Sequence, residues 1–473
     1  MKYLPLLLAL AGCASIPPDQ HRLAMGDAQA AQLAPGIAQG RNAWPERRWW
    51  TQFGDPQLDA LVAQALACAP SLDVAATRIG AARAVLAMDG ADSGPSAGLV
   101  ARQDRQRYSG NGLFPEPIGG NYFSDSSVQL RAGYDFDWWG KHRAQIRAAL
   151  GEVNAREADY AQAEQSLAAA IAATYFRIQG QWSHLALLKQ RITLQEDVMR
   201  DSGKRIAAGL ATINEQRSAE AALAAMRRQA AQFGLQADSE REALRALLGA
   251  DGNALTALHP APLPKGEAAL PASLGLELLA RRPDLQAARW RVQAALGKVD
   301  AERAAFYPQV NLSAAIGLDT LSLGKLLQAG SRTLLGAVDV AVPLFDSTRL
   351  DARIDGARAS RDEMIADYNQ TVFNAVRDVA QQGVALAGIE REWQHQADVL
   401  KATRALLAGA QARMAQGLVA QQTVLAARDE LLKQQDGALD LQHQSLLAQV
   451  ALAKALGGGY RAAQQQTQKE NHE

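Results

Sequence analysis

Apolar and polar residues alternate one by one in a few short stretches of this chain, and recur every third or fourth position over much longer ones. Between Ser127 and Asp137, Val128, Leu130, Ala132, Tyr134 and Phe136 share one face, and Gln129, Arg131, Gly133, Asp135 and Asp137 share the other. Period two predicts a strand with one apolar face. Val310, Leu312, Ala314, Ile316 and Leu318 alternate in the same way with Asn311, Ser313, Ala315, Gly317 and Asp319. Val338, Val340, Val342 and Leu344 alternate with Ala337, Asp339, Ala341 and Pro343. A weaker strand from Pro95 to Tyr108 precedes a loop rich in Gly and Pro that carries Phe114, Pro115, Pro117, Gly119 and Gly120. Each half of the chain therefore supplies one hairpin.

Each hairpin opens into a long helical stretch. From Lys141 to Gly209 there is no proline, and Leu167, Ile171, Tyr175, Ile178, Trp182, Leu185, Leu188 and Ile192 step by three and four. About 65 residues at ~1.5 Å each make a rod near ~100 Å. Thr348 to Gln416 is its counterpart. Rods of this length predict coiled-coil packing. Gly209 and Gly417 are placed to cap them, and return helices follow over Ile213–Leu248 and Thr423–Leu456. Gly249 and the run Gly457-Gly458-Gly459 stop those helices. The run follows a helix instead of opening one, which argues against a phosphate loop. An earlier helical pattern runs from Gln57 to Asp89, broken at Pro70.

The two halves match in sequence as well as in pattern. Pro70, Leu72, Ala75, Arg78, Ala81, Ala82, Pro95, Leu99 and Ala101 fall on Pro283, Leu285, Ala288, Arg291, Ala294, Ala295, Pro308, Leu312 and Ala314 without a gap. Arg205, Ala207, Gly209, Leu210, Leu223, Leu248 and Gly249 fall on Arg413, Ala415, Gly417, Leu418, Leu431, Leu456 and Gly457. A period this long belongs to no short solenoid repeat. It predicts a duplicated helix–hairpin–helix unit, with repeats over 57–270 and 271–460.

The N-terminus carries different information. Lys2 precedes the apolar run Leu4 to Ala11, then Leu10-Ala11-Gly12-Cys13. The run is too short to span a bilayer as a helix and has the layout of a secretory signal over 1–12. The residues before Cys13 resemble a bacterial lipobox, which implies cleavage before Cys13 and an S-diacylglycerol and an N-acyl chain upon it. Ala14, where an Asp would signal retention, favours the outer membrane by the lipoprotein sorting pattern. Residues 13–56 then form an irregular arm, and the Gln-rich stretch 461–473 a disordered tail. Cys68, the one other cysteine, is expected to be a small buried apolar residue. The net charge of zero gives no support to a nucleic-acid partner. No later stretch reads as a spanning helix, so any membrane crossing must use strands.

Four such strands cannot stand alone in lipid, because an open edge leaves backbone N–H and C=O groups unpaired at several kcal/mol each. Closure needs about eight strands or more, so chains must share a barrel. Periodicity alone does not choose between two, three or four chains. Trp138, Trp139, Phe306, Tyr307 and Phe345 gather at the helical ends of the strands and predict an interfacial aromatic belt. Arg131, Asp135, Asp137, Asn311 and Asp339, on the polar faces, are expected to line a barrel lumen.

Several motifs resemble the outer-membrane efflux family of TolC-like channels, and within it the acylated NodT-type lipoproteins. They are Trp49-Trp50 with Phe53, Asp55-Pro56 and Leu58; Asp137-Trp138-Trp139-Gly140-Lys141; and Leu279-Ala280-Arg281-Arg282-Pro283-Asp284-Leu285. Ala304-Ala305-Phe306-Tyr307-Pro308, Pro343-Leu344-Phe345-Asp346 and Ala455-Leu456-Gly457-Gly458-Gly459-Tyr460 complete the set, in order over nearly the whole mature chain. The resemblance implies a mainly α-helical homotrimer whose membrane β-hairpins form a 12-stranded β-barrel, continued by a long periplasmic α-helical barrel. It implies an outer-membrane exit duct that works with a periplasmic adaptor (membrane fusion) protein and an inner-membrane pump, often proton-driven. The family often has a Leu-Asp-Ala-Gln stretch at its periplasmic tip. Here it is Leu425-Ala426-Ala427-Arg428, so Glu215, Glu220, Arg428 and Asp429 are the remaining candidates for a gate.

A lipid-anchored periplasmic coiled-coil scaffold without a pore is the alternative, but it has no use for hairpins with an apolar face. An enzyme would need clustered groups, and neither the seven His nor the serines show metal-ligand or nucleophile-elbow spacing. No catalytic residue, cofactor or metal is expected, and the transported compound is not legible.

Overall fold

The computed structural model describes residues 15–20, 22–26, 44–264, 278 and 280–461. Cys13, the signal at 1–12 and the tail beyond 461 lie outside the described residues. After a single 3-10 turn at Trp49–Phe53 come α1 (Pro56–Cys68), α2 (Pro70–Asp92), β1 (Ser96–Arg107), β2 (Tyr122–Asp135), α3 (Lys141–Ala207) and α4 (Ile213–Leu248). The order continues with α5 (Pro283–Ala304), β3 (Gln309–Thr320), β4 (Arg332–Ala341), α6 (Ser347–Ala415) and α7 (Gln421–Ala455). The described residues gather into two compact units. One draws on Met1–Met25, Arg78–Glu157 and Ala287–Tyr368, the other on Gly26–Thr77, Ala158–Gln286 and Asn369–Glu473.

The strand-bearing unit holds one antiparallel four-stranded sheet in the order β1-β2-β3-β4. β2 pairs with β3, so the two hairpins form one surface, with Leu130 opposite Ile316 and Asp135 opposite Asn311. Among the described residues nothing pairs with the outer edge of β1 or of β4. Beside the sheet, α3 and α5 approach closely through small residues. A Cβ added at Gly151 would come within 3.0–3.1 Å of Ala294, and one at Gly297 within 2.9–3.0 Å of Ala144 and Ala148. Alanine and glycine at the contact are what allow so short an approach. Arg147 pairs with Asp300 at 3.1 Å and Arg353 with Glu302 at 2.9 Å on the rim of this packing.

The second unit is built around aromatic anchors. Trp49, Trp50 and Phe53 are buried with Leu58, Val62 and Ala65 of α1, against Ile171, Tyr175, Phe176 and Ile178 of α3 and Leu446 and Val450 of α7. Asp55 starts α1: its carboxylate accepts from the N–H groups of Gln57 (2.9 Å) and Leu58 (3.4 Å), and Pro56 takes the first helical position. The same carboxylate accepts from the Tyr175 hydroxyl at 2.5 Å. Burial, reinforced by Asp55, raises the pKa of that phenol and keeps it a donor. The Arg282-Pro283-Asp284 motif has a comparable role. Arg282 is buried, pairs with both carboxylate oxygens of Asp284 (3.0 and 2.6 Å), and donates to the Ala455 carbonyl at the end of α7 (2.9 Å).

Two expectations fail here. Cys68 is exposed. It is the last residue of α1; the chain turns into an extended conformation at Ala69, and Ala69 takes the buried place instead. Residues Pro56–Asp92 also contain an 18-residue window of mean hydropathy 1.4, apolar and long enough to cross a membrane by composition. The turn at Ala69–Pro70 splits that stretch into two helices, and Leu58, Leu61, Val62, Ala65 and Leu72 are committed to the core.

Candidate functional site

The strands carry two opposed surfaces. On one, Leu99, Leu130, Ile316 and Leu334 stand in a row across all four strands. Ala97, Ala132, Ala314 and Gly336 form the next row, and Leu312 lies opposite both Tyr134 and Val338. These positions are open in the single chain; Leu334 is 83% exposed and Ile316 59%. From Val310 to Leu318 the apolar face runs about 26 Å along the strand at ~3.3 Å per residue. Tilted by about 40°, it rises about 20 Å, most of the ~25 Å apolar band of a membrane barrel.

The opposite surface is polar. Asp135, Asn311 and Asp339 form one row across β2, β3 and β4, so the register brings together three of the predicted lumen residues. Arg131 shares this face and donates to Gln129 at 3.0 and 3.2 Å. Asp137 does not belong to the set. It lies beyond the end of β2, and its carboxylate accepts from the backbone N–H groups of His142 and Arg143 at 3.0 Å each, and from the Arg143 side chain at 3.2 Å. Burial works against its charge, yet those donors bring its pKa below the usual carboxylate range. It is the capping group of α3. His142 then reaches back to Asp135 at 3.0 Å, tying the helix start to the last strand residue.

The predicted aromatic belt is divided. Trp138 and Phe345 are exposed, Phe345 completely. Trp139 stacks on Tyr307 with centroids 4.6 Å apart and planes at 14°, and its indole N–H donates to the Pro308 carbonyl at 2.7 Å. Phe306 departs from the expectation. It is 1% exposed and packs with Leu350, Ile354 and Ile16, because the turn after α5 sends Phe306 inward and Tyr307 outward. Two further rings, missed in the sequence, extend the belt: Phe136 lies 5.0 Å from Tyr134 and 5.6 Å from Trp138. A second aromatic group sits at the far end of the strands, where Tyr108 contacts Phe114 (5.2 Å) and Phe123 (5.8 Å) and Arg105 lies over Tyr122 (5.5 Å). Aromatic density between Tyr108 and Phe123 was the available signal. Rings at both ends of an apolar band match the girdles of a membrane barrel.

The helical turns in the other unit were the second candidate site. α3 and α6 end in the same way. The Gly209 N–H bonds the Ile206 carbonyl (2.9 Å) and the Leu210 N–H bonds that of Arg205 (2.7 Å), while Gly417 and Leu418 repeat this with Met414 and Arg413 (2.9 Å each). Both glycines have φ of 73°, a conformation that disfavours any Cβ. The four gate candidates separate. Glu215 closes a capping box with Thr212 and lies 3.5 Å from Arg205, which also donates to Gln422 at the start of α7. Asp429 on α7 is held by Arg191 of α3 at 3.0 Å and by Lys433 at 2.9 Å. Its burial favours the neutral acid, but Arg191 and Lys433 outweigh that and lower its pKa. Among the described residues, Glu220 accepts from its helix neighbour Gln216 at 3.2 Å and from no residue of another helix, and Arg428 is exposed. Beside these groups a cleft of about 460 Å³ is lined by Gln195, Asp201, Arg205, Thr212, Glu215 and Gln422.

The chain as a whole is similar to known proteins. The family model described as "Outer membrane efflux protein" matches the chain twice, over residues 61–250 and 274–458. The chain is 36% identical to the multidrug resistance outer membrane protein MdtP of Escherichia coli K12 over 462 residues, covering 96% of this chain and 94% of that one. It is 34% identical to the multidrug resistance outer membrane protein MdtQ of Escherichia coli O157:H7, covering 97% of each. The solved structure of the outer membrane protein VceC from Vibrio cholerae superposes with a TM-score of 0.80 at 28% identity, over 88% of this chain and all of that one.

Proposed function

Because this chain belongs to the outer membrane efflux protein family, and is thus an outer-membrane efflux channel extending into the periplasm, we propose a fuller reading of how it works. Three copies close a 12-stranded barrel. Each contributes one four-stranded sheet, and the free edge of β1 in one copy pairs with that of β4 in the next. The apolar rows face lipid. The row Asp135–Asn311–Asp339 faces water in the lumen, with Arg131 on the same wall. The helices of the two sequence repeats, 57–270 and 271–460, build the periplasmic duct. Acyl chains on Cys13 add a second hold on the outer membrane.

A wall of alternating charges and amides offers hydrated solutes a passive route and little discrimination. The conduit therefore catalyses nothing, and selection and energy come from an inner-membrane pump, joined through a periplasmic adaptor. The relatives' description as multidrug resistance proteins favours drug-like small molecules as cargo. Glu215 and Asp429, locked to Arg205 and Arg191, are the gate residues this reading keeps, because their ion pairs tie neighbouring helices. Among the described residues, Glu220 and Arg428 tie none.

The observation that carries the reading is the register of the sheet. It sorts apolar and polar residues onto opposite faces over all four strands and leaves two edges open. The test is purification from outer membranes, sizing, and single-channel recording in a planar bilayer. A heat-sensitive trimer that conducts, more strongly in an Asp429→Asn, Glu215→Gln variant, is expected. A stable single subunit that never conducts overturns the proposal.

A further inference from the structure

The first described residues of the chain do not trail away from α6. Ile16 packs into the cluster of Phe306, Leu350 and Ile354. The Pro17 carbonyl accepts from Arg358 at 2.6 Å and the Pro18 carbonyl accepts from it at 3.4 Å. Asp19 then meets Arg361 with both carboxylate oxygens, at 2.5 and 3.1 Å. Arg361 is 2% exposed and Arg358 is buried beside it. Arg361 also donates to Asp362 at 2.9 Å, and Asp362 accepts the Leu23 N–H at 3.4 Å.

This is a built site. Two guanidiniums a helical turn apart offer more donors than Asp355 and Asp362 of the same helix can take up. What completes them is an aspartate preceded by two prolines. Proline fixes φ and brings no N–H that would need a partner, so Pro17-Pro18 presents two carbonyls in a nearly preformed strand. The carboxylate meets Arg361 in the two-pronged geometry in which Arg is most selective.

We propose that Arg358 and Arg361 form a receptor for the arm segment Ile16–Asp19, and that this receptor fixes the lipid anchor to its own protomer beside the base of β3. Cys13 lies three residues before Ile16, a span of about 10 Å even when fully extended. Ile16 touches Phe306, the third residue before the start of β3 at Gln309. An acyl chain on Cys13 is then a short tether at the foot of the strands and not a long leash. The docking does not depend on conduction. Its consequence for the lipid rests on acylation of Cys13.

The test uses the acylated mature protein in detergent and limited trypsin cleavage at the Arg22–Leu23 bond. The rate is read by mass spectrometry and divided by the rate in the unfolded protein. The Asp19→Asn variant should be cut about tenfold faster in the native state. The conservative Asp19→Glu variant should recover most of the protection, and so should the double charge swap Asp19→Arg, Arg361→Asp. Cleavage of Asp19→Asn at the wild-type rate overturns the receptor. So does equal loss of protection in the charge swap, provided its oligomer forms. Bilayer recording of the same samples separates the two proposals: unaltered cleavage in a conducting protein removes the receptor alone, and a protected arm on a non-conducting protein supports the receptor while removing the channel.

Discussion

Trp139 lies flat against Tyr307, with ring centroids 4.6 Å apart and planes at 14°, and its indole N–H donates to the Pro308 carbonyl at 2.7 Å. The pair joins the turn after β2 to the turn before β3, at the foot of the two strands through which the hairpins meet. Both rings keep a polar atom and an open edge, the combination that suits a membrane interface. Trp139→Ala removes the stacking and the hydrogen bond, and should cost about 1–3 kcal/mol. Trp139→Phe keeps the ring and should cost about 1 kcal/mol. The temperature at which the oligomer dissociates on gels should fall in that order.

The Arg191–Asp429 pair should hold α3 to α7. Asp429→Asn leaves Arg191 half-buried without its countercharge, at a cost of about 1–3 kcal/mol. Asp429 has its pKa lowered in the folded chain, so its contribution is present above the ordinary carboxylate value and fades as pH falls through the lower folded value. The protection of α7 amides near Leu425, taken relative to the intrinsic exchange rate at each pH, should fall at pH 3 in the wild type. It should already be low at pH 7 in Asp429→Asn.

His443 should respond in the opposite range. Burial lowers its pKa from 6.5, helped by His184 and Arg177 and opposed by Asp440 and Glu240. The folded chain therefore favours the neutral ring. Stability is full above about pH 6.5, where both states are neutral, and declines as pH falls below it because the unfolded chain takes up a proton first. The ring also sits within 3.1–3.2 Å of where a Cβ on Gly180 would be. The melting temperature should drop between pH 7.5 and 5.5, and His443→Gln should flatten that drop. Gly180→Ala should destabilise at every pH.

The turns at Gly209 and Gly417 should tolerate substitution equally badly. Each has φ of 73°, with nothing within 4 Å of an added Cβ, so the penalty is conformational alone. Alanine at either should cost about 1–2 kcal/mol, and the double variant about the sum. Denaturant midpoints with an unchanged slope would check this.

The strands and rods were legible because their periods are long and clean. α4 was predicted at its observed bounds, and α3 within a turn of its end. The outer end of β2 was not: the strand begins at Tyr122, but Ser124, Asp125, Ser126 and Ser127 are polar on both faces, so alternation carries no signal there. Asp137 kept the alternating pattern past the end of the strand. Only a helix needing a cap at Lys141 reveals its use. Phe306 and Tyr307 are neighbours in sequence with opposite exposures, decided by one turn. Thr212-x-x-Glu215 and Asp429–Lys433 stand at capping-box and i,i+4 spacings, but the Arg191 partner of Asp429 could not be read, since it is 238 residues away and chain proximity says nothing of helices that meet side by side.

The two bare margins of the sheet impose a social rule on the protein. In the proposed ring a β1 margin meets a β4 margin, so each subunit gives one kind of edge and receives the other, and the ring closes only if every member can do both. A copy spoiled at one margin still recruits a healthy neighbour by the other and strands it in an unfinished circle. In a cell making equal amounts of intact and β4-damaged chains, random assembly of the proposed trimer would leave only about one ring in eight whole. Damage to a single allele or plasmid copy would then silence far more export than its share of the protein.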